Sequence, residues 1–250
     1  MIYICVPAYN EAPTVGLLLW RIRKVFADYS REYEVIVLDD GSTDATAETL
    51  VPYSEVMPVT VIRHPERRGY AAALDTLTRA ADKRTRHPRR DAMIVMQADL
   101  TDQPQHIPEL VKRFEGGADI VVAEHASGSS DVPPAVRKLR RIAPWLIRMF
   151  VRVNGVNDPL GSFRLYRISV VRELLKRFGD TPIVGGAGWA ANVEMLARLE
   201  RFARRIETVA LDSRYDLRSR DSRVRPMAAA MNLYRFGWAS RSGRVTSSPT

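Results

Sequence analysis

The sequence predicts an α/β protein whose mostly parallel central sheet is flanked by helices. Three observations carry that expectation. Short apolar runs alternate with helical patterns through the first half of the chain. The first run, residues 2–6, is apolar throughout, as a strand buried on both faces must be. Clusters of polar turn residues follow the runs where strands of a parallel sheet end and helices begin.

Residues 2–6 form the first expected strand, and 14–26 an amphipathic helix. Residues 33–38 form a second strand, which stops at Asp39-Asp40-Gly41-Ser42-Thr43-Asp44. A helix follows, with Ser42 or Thr43 expected to cap its open N–H groups. A third strand at 59–63 leads to an alanine-rich helix at 69–83. A fourth at 92–96 leads to a helix at 107–115, and a fifth lies at 119–123. This alternation implies a parallel sheet with right-handed crossovers. Such sheets bind ligands at the carboxyl ends of their strands.

The second half is less regular. Residues 124–134, rich in Ser, Gly and Pro, read as a loop, and 136–153 as a helix carrying Arg and large apolar residues. A turn at 154–162 leads to a short strand at 163–166 and a helix near 169–177. Gly185-Gly186-Ala187-Gly188 precedes a helix at 190–199, and 206–211 form a last strand. Residues 1–240 are expected to make one domain. The polar end, 241–250, is expected to be disordered.

With 250 residues, 46% hydrophobic and 27% charged, the chain can bury one core of ordinary size. Cys5 lies inside the first apolar run and reads as a small buried hydrophobe. A lone cysteine forms no internal disulfide, which fits a reducing compartment. No run approaches the ~18 apolar residues of a spanning helix, and no basic segment precedes an apolar one at the N-terminus. The expected location is the cytoplasm, with any membrane contact peripheral, at the inner face. The net charge of +9 implies an anionic counterpart: a phosphate-bearing substrate, an acidic membrane surface or nucleic acid.

Three polar clusters fall at expected strand ends: Pro7-Ala8-Tyr9-Asn10-Glu11, Asp39-Asp40-Gly41-Ser42 and Gln97-Ala98-Asp99. Carboxylates gathered at one sheet edge can accept hydrogen bonds from a ribose or base, or hold a divalent cation on a diphosphate. Each cluster alone is also what an ordinary turn looks like. It is the three together, in order, that point to a ligand site.

These segments resemble family 2 glycosyltransferases of the GT-A fold. Pro7 through Glu11 is similar to their first nucleotide-contacting segment, and Asp39 through Asp44 to their second. Gly69 through Ala73 is similar to a Gly-x-Gly-x-Ala element, with Ala71 in place of the second glycine. Gln97-Ala98-Asp99-Leu100 falls where the family has an Asp-x-Asp metal motif. Gly161-Ser162-Phe163-Arg164, shortly after Asp158, resembles the Ser-Gly-Phe-Arg of polyprenyl-phosphate sugar synthases with its first two residues exchanged.

The resemblance implies a GT-A type Rossmann-like sandwich, with residues 1–123 binding the nucleotide and 124–240 the acceptor. Donor contacts would come from Pro7, Ala8, Tyr9, Glu11, Asp39, Asp40, Gly69, Ala73, Gln97, Ala98 and Asp99. Asp99 would be the main protein ligand to Mg²⁺ or Mn²⁺. Gln97, neutral where the family has its first aspartate, implies weakened metal affinity. Arg218, Ser222 and Arg223 resemble a late Arg…Ser-Lys element near phosphate, shortened here by one residue.

Two acceptors stay open. A phosphate acceptor is already ionised and needs cations rather than a base. Arg137, Arg140 and Arg141 open the helix that holds Trp145, Leu146, Ile147, Met149 and Phe150, an arrangement suited to an anionic membrane surface. With Arg164, Arg218, Ser222 and Arg223, Arg137 and Arg141 are the candidates for an acceptor phosphate. A soluble hydroxyl acceptor would need a base, with Glu194 first and Asp158 second. Alternatively, Glu194 pairs with Arg198 four residues on.

Other classes fit less well. A dinucleotide-binding Rossmann domain places Gly-x-Gly-x-x-Gly after its first strand, where this chain has Pro-Ala-Tyr-Asn-Glu. A nucleotidyltransferase opens there with a glycine-rich basic loop, which is absent too. No nucleic-acid module accompanies the basic runs, so no nucleic-acid partner is expected. His64, His87, His106 and His125 show no metal-ligand spacing. A catalytically degenerate member that binds nucleotide sugar or membrane remains an alternative, with Gln97 its best support.

Overall fold

The computed structural model describes residues 1–125, 155–186 and 188–211. Seven strands run through them: β1 (Ile2–Ala8), β2 (Tyr33–Asp39), β3 (Val59–Arg63), β4 (Ala92–Val95), β5 (Ile120–His125), β6 (Arg164–Arg167) and β7 (Ile206–Leu211). The described α-helices are α1 (Ala12–Asp28), α2 (Thr46–Val56), α3 (Tyr70–Arg84), α4 (Ile107–Glu115), α5 (Ile168–Phe178) and α6 (Trp189–Leu199). The strands form one sheet in the order β3-β2-β1-β4-β6-β5-β7. Neighbours are parallel except β6, which runs antiparallel to both β4 and β5.

β1 is buried from end to end because helices cover both of its faces. Ile2, Ile4, Val6 and Ala8 face a layer containing Leu18, Leu19 and Ile22 of α1, Leu50 of α2 and Leu110 and Phe114 of α4. Tyr3 and Cys5 face the opposite layer, with Leu74 and Leu77 of α3, Val171 and Leu174 of α5 and Leu196 of α6. Each such aliphatic side chain contributes about 1.5–3 kcal/mol of transfer free energy. Cys5 is fully buried, and burial pushes its thiol well above the usual range, so it packs as a hydrophobe.

Pairing with β2 carries β1 two residues past its apolar run, to Ala8 opposite Asp39. The expected cap of α2 is corrected. The helix begins at Thr46 behind Ala45, and no side chain caps it there. Asp44 instead accepts the Thr46 N–H at 3.0 Å, while Ser42 and Thr43 turn sideways to Asn10. Neighbouring parallel strands thus deliver the β1, β2 and β4 loops to one sheet edge.

Candidate functional site

The β1 and β2 loops are stitched together before any ligand is considered. Asn10 N–H donates to Ser42 Oγ at 2.9 Å, and Asn10 Oδ1 accepts the Thr43 N–H at 2.8 Å. Glu11 N–H donates to Thr46 Oγ1 at 2.8 Å, and Ala12 N–H to Asp44 Oδ2 at 3.2 Å. Burial opposes ionisation of Asp44, but hydrogen bonds from Thr46 and Ala12 dominate and hold its carboxyl below the usual range. Asn10 sits at φ 53 and Leu100 at φ 65, the two non-glycine residues with positive φ among the described residues. Both lie in loops of this edge, where sparsely populated backbone conformations are characteristic of built sites.

Pro7 and Ala8 are buried in β1, while Tyr9 is half-buried at its end. The Arg67 guanidinium carbon lies 4.2 Å from the centre of the Tyr9 ring, a cation–π contact. Glu11 is buried, and its Oε2 accepts the Thr14 hydroxyl at 3.1 Å. Asp39 is fully buried, and its Oδ1 accepts the Ser42 N–H at 2.9 Å. Its Oδ2 lies 3.3 Å from Arg63 Nε, an ion pair without hydrogen-bond alignment, so this oxygen has no aligned donor.

Asp40 performs a different task. Its Oδ1 accepts the Arg68 N–H at 2.9 Å and lies 2.7 Å from His64 Nδ1, and its Oδ2 accepts the Gly69 N–H at 2.8 Å. His64 in turn reaches Thr76 Oγ1 at 3.1 Å through Nε2. Asp40, expected near the ribose or base, therefore fixes the loop ahead of α3. That loop also presses on Gly41: a Cβ there would lie 2.5 Å from the Glu66 carbonyl carbon. Gly69, at φ 91, provides the N-terminal cap position of α3, and Ala73 packs in the core one turn on.

The loop after β4 brings in Gln97, Ala98 and Asp99, of which Ala98 and Asp99 are buried and Gln97 half-buried. Asp99 Oδ1 accepts both the N–H, at 3.1 Å, and the hydroxyl of Thr101. Asp102, which the sequence reading passed over, is buried beside them. Its Oδ2 accepts the Gln97 N–H at 2.9 Å and the Ser162 hydroxyl at 3.1 Å. The cue was present in Gln97-Ala98-Asp99-Leu100-Thr101-Asp102, a second carboxylate three residues after the first. No three His, Cys, Asp or Glu side chains among the described residues group together as a preformed metal site.

Two candidate residues of the second half lie in buried networks. Arg164, expected at an acceptor phosphate, is only 1% exposed. Its Nη1 donates to the Asn192 carbonyl at 2.6 Å and its Nη2 to the Pro159 carbonyl, so it ties the 159–164 turn to α6. Asn192 continues that network, accepting the Tyr70 hydroxyl at 2.7 Å and donating to the Leu160 carbonyl at 3.0 Å. Burial pushes the Tyr70 phenol up, keeping it a neutral donor.

Glu194, the leading candidate base, is 4% exposed, and both of its oxygens are engaged. Oε1 pairs with Arg198 Nη2 at 2.6 Å, and Oε2 accepts the N–H groups of Gly185 and Gly186, each at 2.8 Å. Desolvation lowers the Arg198 pKa while Glu194 opposes that shift. This geometry is that of a clamp on the glycine loop, and the pairing alternative for Glu194 is the one present. Asp158 is half-buried, and its Oδ1 accepts the Leu160 N–H at 3.1 Å. Arg137, Arg140, Arg141, Trp145–Phe150, Arg218, Ser222 and Arg223 lie outside the described residues, as does the 241–250 tail.

The sequence and the fold have relatives among known proteins. The family model described as Glycosyl transferase family 2 matches residues 3–175. A dolichol-phosphate mannosyltransferase of Pyrococcus furiosus is 28% identical over 172 residues, covering 67% of this chain and 46% of its own. A prophage bactoprenol glucosyl transferase homolog of Escherichia coli is 27% identical over 180 residues, covering 69% and 54%. The chain spans about half the length of the curated relatives it matches. Among solved structures, glucosyl-3-phosphoglycerate synthase from Mycobacterium tuberculosis, in complex with Mn²⁺, UDP and phosphoglyceric acid, superposes with a TM-score of 0.65 at 22% identity. That match covers 100% of this chain and 80% of the synthase. At such identity the likeness speaks to the fold alone, a GT-A glycosyltransferase fold.

Proposed function

The chain belongs to glycosyl transferase family 2, and on that premise we propose that it moves a sugar from a nucleotide diphosphate donor to a polyprenyl phosphate, inverting the anomeric carbon. One observation carries the proposal: the loops after three neighbouring strands bring Tyr9, Asp39 and Asp99 to a single sheet edge, and Asp39 there keeps a buried oxygen without an aligned donor. A nucleobase N–H is the kind of donor that oxygen lacks, and Tyr9 offers it a ring to stack on. The relatives' names supply the acceptor class: dolichol phosphate in one, bactoprenol in another, undecaprenyl phosphate in a third.

The chemistry assigned to each residue follows from its place. Tyr9 and Asp39 hold the base, with Pro7, Ala8 and Glu11 shaping the slot around them. Asp40 and Gly69 hold the loop that walls it. A divalent cation would sit on Asp99 beside Gln97. Mg²⁺ is commonly bound by one or two carboxylates plus substrate phosphates, so one buried carboxylate and a neutral amide fit a cation that arrives with the diphosphate. When bound, the cation neutralises charge on the departing diphosphate. Gln97, a neutral amide where a second carboxylate would add charge, supports weak binding of metal without nucleotide.

A phosphate nucleophile needs no base, and the engagement of both Glu194 oxygens supports that choice over a soluble hydroxyl. Arg137, Arg141, Arg218, Ser222 and Arg223 are the proposed contacts to the lipid phosphate. No helix among the described residues is long and apolar enough to cross a membrane. We place the reaction at the cytoplasmic membrane face, reached by peripheral contact. The test is calorimetry with GDP, UDP and their sugar conjugates, in Mn²⁺, Mg²⁺ or EDTA. Tight, metal-dependent binding of one nucleotide supports the donor site, and no binding under any condition removes it.

A further inference from the structure

We infer that Arg67 forms the second face of the nucleobase slot, closing on the base opposite Tyr9 and setting how tightly the nucleoside is held. The inference rests on the donor-site reading of Tyr9 and Asp39.

Three features of the loop ahead of α3 support it. First, its backbone is fixed on both sides of Arg67. Arg68 and Gly69 donate their N–H groups to Asp40 at 2.9 and 2.8 Å. Gly41 lies so close that an added Cβ would stand 2.6 Å from Arg67 N. Arg67 can therefore move its side chain but not its place. Second, that side chain is exposed, yet it lies over a particular target, 4.2 Å from the Tyr9 ring centre. A planar guanidinium stacks on any flat π-system, so it can lift from Tyr9, admit a base and settle on the other face.

Third, Arg63 from the same segment lies 3.3 Å from Asp39 Oδ2, and its Nη2 donates to the Ser42 carbonyl at 3.2 Å. The two arginines thus have distinct stations. Arg63 stays with the buried carboxylate that faces the base edge, and Arg67 stands over the aromatic floor. A sandwich of tyrosine, base and guanidinium binds the nucleoside itself. It differs in that from a cation that merely attracts the diphosphate.

Calorimetry on Arg67→Ala and Arg67→Lys, with UDP, GDP and inorganic pyrophosphate in Mn²⁺, separates the two roles. Arg67→Ala should weaken whichever nucleotide the wild type binds by about tenfold, the size of one stacking or cation–π contact. Pyrophosphate binding should stay within about twofold, as expected for a residue that does not meet the phosphates. Arg67→Lys keeps the charge but loses the plane, and should recover little of the nucleotide affinity. In a Tyr9→Ala background the cost of Arg67→Ala should shrink to about twofold, because the stack is already broken. Equal losses for nucleotide and pyrophosphate, full recovery with lysine, or no loss at all would each overturn the role of Arg67. Wild-type protein that binds no nucleotide would instead remove the donor site, and this inference with it.

Discussion

Asp40→Ala is the most informative perturbation of the site, because the protein's own groups occupy Asp40, whereas Asp39 keeps an oxygen without an aligned donor and is the proposed ligand contact. Asp40 is buried, and its carboxylate meets two backbone N–H groups and a ring nitrogen at 2.7–2.9 Å. Truncation leaves the Arg68 and Gly69 N–H groups and the His64 ring without their acceptor. Each orphaned group costs about 1–3 kcal/mol when buried. Because Arg67 and Arg68 are exposed, water can reach part of this loop, so the low end applies and the sum is about 3 kcal/mol. Urea unfolding of the nucleotide-free protein, analysed at constant m, should show that loss. Asp39→Asn retains an acceptor for the Ser42 N–H and should cost less than about 1 kcal/mol, yet lose nucleotide affinity. An Asp40→Ala protein of wild-type stability that no longer binds nucleotide would refute this division of labour.

Four further outcomes are expected. Gly41→Ala places a methyl 2.5 Å from the Glu66 carbonyl carbon at φ 67, and thermal melting should show a loss of about 3 kcal/mol. Glu194→Gln breaks the buried pair with Arg198, so unfolding free energy should fall by about 3 kcal/mol. The pH dependence of turnover should keep its shape, whereas loss of a limb would restore Glu194 as a base. Asp44, held below its usual value in the fold, contributes stability that is complete above its unfolded value of about 3.9 and is lost as pH falls through the lower folded value. The stability gap between wild type and Asp44→Asn should therefore narrow as acid is added below about pH 4; a gap that widens would reverse the sign of that shift. Asp99→Ala should remove the metal dependence of nucleotide binding, and calorimetry in Mn²⁺ against EDTA reads it directly.

Much of the architecture was legible because burial on both faces leaves a plain imprint. The strands at 59–63 and 206–211 and the helix at 107–115 fall where the apolar spacing put them. Where the reading slipped, the missing information was non-local. Ser42 and Thr43 are good caps in isolation, but Asn10 lies beside them across the sheet and takes them. The direction of β6 depends on which neighbours it joins, something no local pattern records. Arg164 and Glu194 are charged residues that sequence statistics place at the surface, yet each is buried among partners distant in the chain or in a glycine loop. The Asp40–His64 contact, spanning 24 residues, is invisible for the same reason. Motif clustering at strand ends picked out the sheet edge where Tyr9, Asp39 and Asp99 meet; what separates Asp39, which keeps an oxygen without an aligned donor, from Asp40, which holds the loop, is contacts distant in sequence.

The most direct test of the proposed activity is sugar transfer itself. The full chain should be incubated with radiolabelled UDP- or GDP-hexose, Mn²⁺ and undecaprenyl phosphate in detergent micelles, with a soluble hydroxyl acceptor in parallel. Label entering the lipid phase as an alkali-stable or acid-labile sugar phosphate, with release of the nucleoside diphosphate and loss of both in Asp99→Ala, is the expected result. Donor that binds but passes no sugar to the lipid phosphate, or passes it only to the soluble hydroxyl, would contradict the assignment.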